Sequence, residues 1–164
     1  MKGASSFEDM TDLSKDMRTR LSEVAEVSHP RLADKVPAED GTTKLCFELP
    51  DGNVVESVLI PAEGHLTICI STQVGCKMSC AFCYTATLGY TRNLTAGEIT
   101  GQYHAATRTL AGTDQIISNV VLMGMGEPLD NYDNVITALD NLMCEDSVNL
   151  SSRRVVRSEE RRVG

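Results

Sequence analysis

No stretch of this 164-residue chain is long enough and free enough of charge to cross a bilayer. The N-terminus also lacks the apolar core of a secretory signal, since Lys2, Glu8, Asp9, Asp12, Lys15 and Asp16 fall within its opening residues. A cytoplasmic, reducing location without a membrane partner is the resulting expectation. In that setting clustered cysteines serve as metal ligands or redox groups more often than as structural disulfides. A basic stripe is missing as well. The formal net charge is -8, and residues 66 to 152 hold 8 acids against 3 bases, which argues against a protein that binds nucleic acid mainly by neutralising phosphates. Internal repeats and low-complexity segments are absent, which excludes a repeat array. With 41% apolar residues, the chain can bury one ordinary core.

The periodicities divide the chain in two. Leu13, Met17, Leu21 and Val24 recur at helical spacing behind Ser14, a suitable N-cap, so an amphipathic helix resting on a core is expected between Leu13 and Val27, ended by His29 and Pro30. "KLCFEL" and "VVESVLI" then read as two strands joined by the tight turn "PDGN". Alternation in the second run places Val55, Ser57 and Leu59 on one face, and Val54, Glu56, Val58 and Ile60 on the other. Pattern alone makes Glu56 an edge-strand carboxylate that reaches solvent. The alternative is a carboxylate in a partly dry pocket, where desolvation raises its pKa and suits it to proton transfer. From Leu66 onward the order becomes strand, loop, helix, repeated: "LTICIST", a cysteine loop, a helix over 95–110 opened by the capping box of Thr95 and Glu98, "ISNVVLMG", the loop "MGEPLDNYDN", a helix over 134–143, and "RRVV" as a third strand. Strands alternating with helices imply βαβ units and a parallel sheet, with ligands at the C-terminal strand ends. Both the cysteine loop and "GMGEP" fall at such ends.

Four of the six cysteines lie within "CISTQVGCKMSCAFC", and three of them, Cys76, Cys80 and Cys83, are spaced Cys-x3-Cys-x2-Cys. Structural zinc wants four closed ligands, usually as two paired knuckles. A second pair is lacking here, and His65, Cys69 and His104 are single candidates without knuckle spacing. An ordinary 4Fe-4S cluster also wants four cysteines. Three thiolates leave one iron open to a small molecule.

With Phe82 just before the last cysteine, this spacing resembles the radical S-adenosylmethionine (SAM) signature. The resemblance implies a 4Fe-4S cluster on Cys76, Cys80 and Cys83, with Phe82 beside the cofactor, and SAM on the open iron. "GMGEP" resembles the superfamily's Gly-Glu-Pro motif, which implies that Gly126 and Glu127 hold the methionine ammonium. Further along, "SxQVGCxxxCxFC", "RNLTAGEI", "NVVLMGMGEPLxNYDNV" and "LSxRRV" resemble the RlmN family of rRNA/tRNA adenine C2 methyltransferases and the related Cfr enzymes, from about Phe7 to Val155. For those enzymes the target carbon is not nucleophilic, so a methylcysteine formed from one SAM is activated by a radical from a second. Carried over by position, Glu56 becomes the proton acceptor, which displaces the edge-strand reading, and Cys69 becomes the resolving cysteine of a transient disulfide. Cys46 and Cys144 match no family function and are left as packing residues. The implied partners are 23S rRNA, tRNA and an electron donor such as flavodoxin.

The resemblance implies an α/β fold: a partial radical SAM (β/α) barrel, represented by its first βα units over 64–156, preceded by a small α+β accessory segment over 1–63. No residue matches the methyl-carrying cysteine. Residues 157–164, "RSEERRVG", depart from the family pattern and read as a non-native tail, as if translated from a sequencing-library adapter. The family also carries a helical segment before "SFEDMTDLSK", so the chain reads as an internal fragment of a longer enzyme. Two alternatives remain beside the C2 reading: methylation at C8, and a non-catalytic module holding zinc or iron through the three cysteines and a residue such as His65.

Overall fold

The computed structural model describes residues 6–27, 29–78 and 80–156, so the expected tail at 157–164 lies outside the described residues. After a short 3-10 turn (Phe7–Asp9) comes helix α1 (Lys15–Val24), with the Ser14 hydroxyl accepting from the Met17 amide as the N-cap. Strands β1 (Arg31–Pro37), β2 (Thr43–Glu48), β3 (Val54–Ala62) and β4 (His65–Cys69) follow as an antiparallel meander. A small hairpin, β5 (Gln73–Gly75) with β6 (Tyr90–Asn93), brackets the cysteine loop. Helix α2 (Ala96–Thr109), strand β7 (Ile117–Val121), helix α3 (Tyr132–Met143) and the short strand β8 (Val155–Val156) complete the order. The main sheet runs β1-β2-β3-β4-β7-β8. Its β4, β7 and β8 strands are parallel, so the βα expectation holds from β4 onward.

One face of this sheet carries the core. Leu45, Phe47, Val55, Leu59, Ile68 and Val120 point to it and are buried. Helix α2 covers them with Ile99, Tyr103 and Ala106, and α3 adds Val135, Ala138, Leu139 and Leu142, each set at the spacing of a single helical face. The helices leave the other face uncovered. Cross-strand pairs Cys46 with Glu56 and Val58 with Cys69, and the parallel pair Cys69 with Val121, all project there.

Three expectations change. Helix α1 forms where expected but buries no residue, with Met17 and Val24 exposed. It packs on the short turn at Phe7–Asp9 and contributes no residue to the core. Strand β3 is interior rather than an edge, since β2 and β4 flank it. Finally, β1 and the β5–β6 hairpin form from segments without strong alternation. Strand β1 is exposed throughout and held by its ladder to β2, whereas β5 is buried, with Val74 in the core.

Candidate active site

Two loops meet at the C-terminal ends of β4 and β7. The first runs from Cys76 to Gly89 between the paired strands β5 and β6. Its base is shut by the Cys76 amide donating to the Gly89 carbonyl at 2.9 Å. Gly75 sits there with φ +76°, and an added Cβ would lie 1.9 Å from the Gly89 oxygen, so no larger residue fits. The second loop, Gly124 to Pro128, packs backbone to backbone on the end of β4. A Cβ on Gly124 would come within 2.8 Å of the Ile70 and Ser71 backbone, and one on Gly126 within 2.7 Å of the Gln73 nitrogen. The Met125 carbonyl accepts from the amides of Thr72 and Gln73 at 2.8 and 3.2 Å.

The three candidate ligands share the first loop. Cys80 is exposed, Cys76 and Cys83 are half-buried, and all are free thiols. The Met78 amide donates to the Cys76 sulfur at 3.4 Å. Among the described residues no three His, Cys, Asp or Glu side chains are gathered closely enough to hold a metal ion. The donor chemistry nevertheless fits an iron–sulfur group: three unpaired thiols, spaced by three and two residues, on one loop anchored at its base. Phe82 stands 93% exposed beside them. His65, the suggested fourth ligand of a zinc module, lies at the opposite end of β4, about 13 Å along the strand from Cys69. It is not brought to the cysteine loop.

Glu127 caps the turn that follows it, its carboxylate accepting from the Leu129 amide at 3.0 Å, while its own amide donates to Gln73 Oε1 at 3.1 Å. The backbone of Gly126 is fixed in the left-handed region, at φ +101°.

Glu56 and Cys69 share the open face of the sheet. Glu56 lies two residues from Val58, the partner of Cys69, a diagonal relation of about 7–8 Å between backbones. The Glu56 carboxylate is half-exposed and accepts from Lys44 Nζ at 3.0 Å. A dry pocket does not enclose it. Cys69 is only 8% exposed, and burial pushes its thiol up from the ordinary cysteine range, partly offset by the Met123 backbone. Cys46, expected only to pack, faces Glu56 directly across the strands.

Sequence reasoning missed the polar frame behind these groups. Gln102 and Ser71 are wholly buried. Gln102 Oε1 accepts from the Ser57 hydroxyl at 2.8 Å and the Ser71 amide at 3.1 Å, and its Nε2 donates to the Ser71 carbonyl at 2.9 Å. The Ser71 hydroxyl donates to the Glu56 carbonyl at 2.6 Å and accepts from the Met125 amide at 2.8 Å. Asn131 Nδ2 donates to the carbonyls of Thr72 and Leu94, both at 2.8 Å. No periodicity marks them: Gln102 and Asn131 sit in polar stretches, and only the buried partners they meet across the fold reveal their role.

An α/β sheet with a thiol-rich loop after its first parallel strand and a Gly-Glu-Pro loop after the next is the opening of a radical SAM barrel. The chain superposes on the crystal structure of a radical SAM methyltransferase from Sphaerobacter thermophilus with a TM-score of 0.84 at 37% identity, over 94% of this chain and 46% of that one. Residues 1–27 match the family model of the ribosomal RNA large subunit methyltransferase N-terminal domain. The dual-specificity RNA methyltransferases RlmN of Desulfosudis oleivorans and Pelobacter propionicus are 53% and 51% identical over 94% and 93% of this chain. The chain belongs to the RlmN family. It spans 42% of the length of each of these two relatives.

Proposed function

We propose that this chain carries the accessory segment and the first βα units of an enzyme that methylates C2 of adenosine in 23S rRNA and tRNA through a methylcysteine. The observation that carries the reading is the meeting of the cysteine loop and the Gly-Glu-Pro loop at adjacent parallel strand ends, in a sheet whose open face presents Glu56 and Cys69 together. Cys76, Cys80 and Cys83 hold a 4Fe-4S cluster. Gly126 and Glu127 would bind the methionine end of SAM, with Phe82 as a further contact to the cofactor. When bound, these groups supply one-electron hydrogen-atom abstraction, which no side chain provides.

The chain's own residues contribute proton transfer and release of the product. Glu56, on the open face, takes the C2 proton of the adenine, with Lys44 holding its carboxylate in place until the substrate arrives. Cys69 attacks the sulfur of the cysteine that links enzyme to RNA: the S–S bond of a transient disulfide forms as the S–CH2 bond to the RNA breaks, and the electron pair of that bond stays with the new methyl carbon, which takes up a proton. Burial pushes the Cys69 thiol up, so a group that takes its proton must accompany the attack. Reducing equivalents come from a donor such as flavodoxin, and a cytoplasmic location goes with this reading.

The test is anaerobic reconstitution of the chain with iron and sulfide. About four irons with matching sulfide, and an absorption change on adding SAM, are expected. A single zinc without sulfide overturns the reading in favour of a non-catalytic metal module.

A further inference from the structure

Gln73 is buried completely at the start of β5, yet all its polar capacity is used on other segments. Its Nε2 donates to Asn93 Oδ1 at 2.8 Å and to Asp130 Oδ2 at 2.7 Å, and its Oε1 accepts from the Glu127 amide at 3.1 Å. Asp130 also pairs with Lys77 Nζ at 2.9 Å, and Lys77 directly follows Cys76. The same ammonium lies 4.7 Å from the Tyr90 ring centroid. The Tyr90 hydroxyl donates to Asn93 Oδ1 at 3.1 Å, and Asn93 Nδ2 donates to the Asp130 carbonyl at 3.3 Å. The network therefore grips the cysteine loop near both ends, at Lys77 and Tyr90, and the second loop at Glu127 and Asp130.

We infer that Lys77 and Asp130, with Gln73 as their buried hub, form a clasp that sets the position of the cysteine loop relative to the Gly-Glu-Pro loop. The inference rests on reading these loops as the cluster and SAM sites, and it names positioning residues that touch neither. Its physical basis is the weakness of the loop's other support. Loop 76–89 stands on a hairpin of three and four residues with a glycine at each side of its base. An ion pair as exposed as Lys77–Asp130 contributes little alone. Here it closes a connected network around a buried amide, where the loss of one member loosens the others.

The test uses the whole chain without metal, by hydrogen exchange of segments 76–89 and 124–131 in wild type, Lys77→Met and Asp130→Asn. Asp130→Asn is expected to speed exchange in the cysteine loop, and Lys77→Met in the Gly-Glu-Pro loop, each by about three- to fivefold. The double variant should be no faster than the faster single. Effects confined to the altered loop, or effects that simply add, overturn the clasp. Lys77→Met removes only a surface ammonium, so the test survives even if Asp130→Asn misfolds. After reconstitution, both variants should keep their iron but need severalfold more SAM for the same absorption change. An unaltered SAM response overturns the positioning role. A wild-type chain that takes up no iron and sulfide counts against the proposed function and leaves the clasp to be judged by exchange alone.

Discussion

Cys69 and Cys80 show how much the setting of one thiol decides. Cys80 is exposed on a loop, whereas Cys69 ends a central strand and burial raises its pKa. At neutral pH, maleimide should modify Cys69 at least tenfold more slowly than Cys80, read by mass spectrometry of timed digests, because both access and thiolate fraction are lower. Equal rates would mean that burial does not shield Cys69. Gly126 is decided by backbone contact in the same way. An alanine there faces both a positive φ and the Gln73 backbone, so Gly126→Ala should cost more than about 2 kcal/mol in urea unfolding, well above the ~0.5 kcal/mol of an ordinary surface change.

Among the elements, α2 is held at its start by the capping box and by Arg92. The Thr95 hydroxyl accepts from the Glu98 amide at 3.2 Å, and Glu98 Oε2 accepts from the Thr95 amide at 2.8 Å. Thr95→Ala should cost about 1 kcal/mol, measured by thermal or urea unfolding. Arg92 donates to both Glu98 oxygens at 2.8 Å and from Nε to Asp51 at 2.7 Å, which ties β6 and α2 to the turn between β2 and β3. Burial raises the Glu98 pKa, but the bonds from Arg92 and Thr95 outweigh it and hold the carboxyl below the ordinary range. Asp51 is lowered to about 2, first by Asn53 and then by Arg92. A carboxylate with a depressed folded-state pKa stabilises the fold above its unfolded pKa and loses that contribution as pH falls through the folded value. Stability should therefore drop between about pH 4.5 and pH 2, and Arg92→Met should flatten that drop. Urea midpoints across the window decide it, and an unchanged pH profile in Arg92→Met would remove the clamp from the argument.

Taken whole, the molecule concentrates its stability in one layer contact, the sheet face under α2 and α3. Ile68→Ala, at the centre of that face, should cost about 3 kcal/mol, while Leu21→Ala on the unpacked α1 should cost less than ~1 kcal/mol. Comparable losses would mean that α1 rests on the core after all. The caps at Ser14 and Thr95, the β2–β3 hairpin, the second βα unit and the placement of both site loops at strand ends were legible in the sequence by itself. Each rests on a local rule of spacing, turn chemistry or periodicity. Only the tertiary structure decided which face of β3 is buried, because both faces carry aliphatic residues and the helices that cover Val55 and Leu59 come from far along the chain. It alone set Glu56 on an interior strand beside Lys44, Cys46 and Cys69, and joined Asp130 to both Lys77 and Gln73. Contacts between residues so distant in sequence leave no periodicity behind, since they arise from how the strands are ordered and not from any one segment.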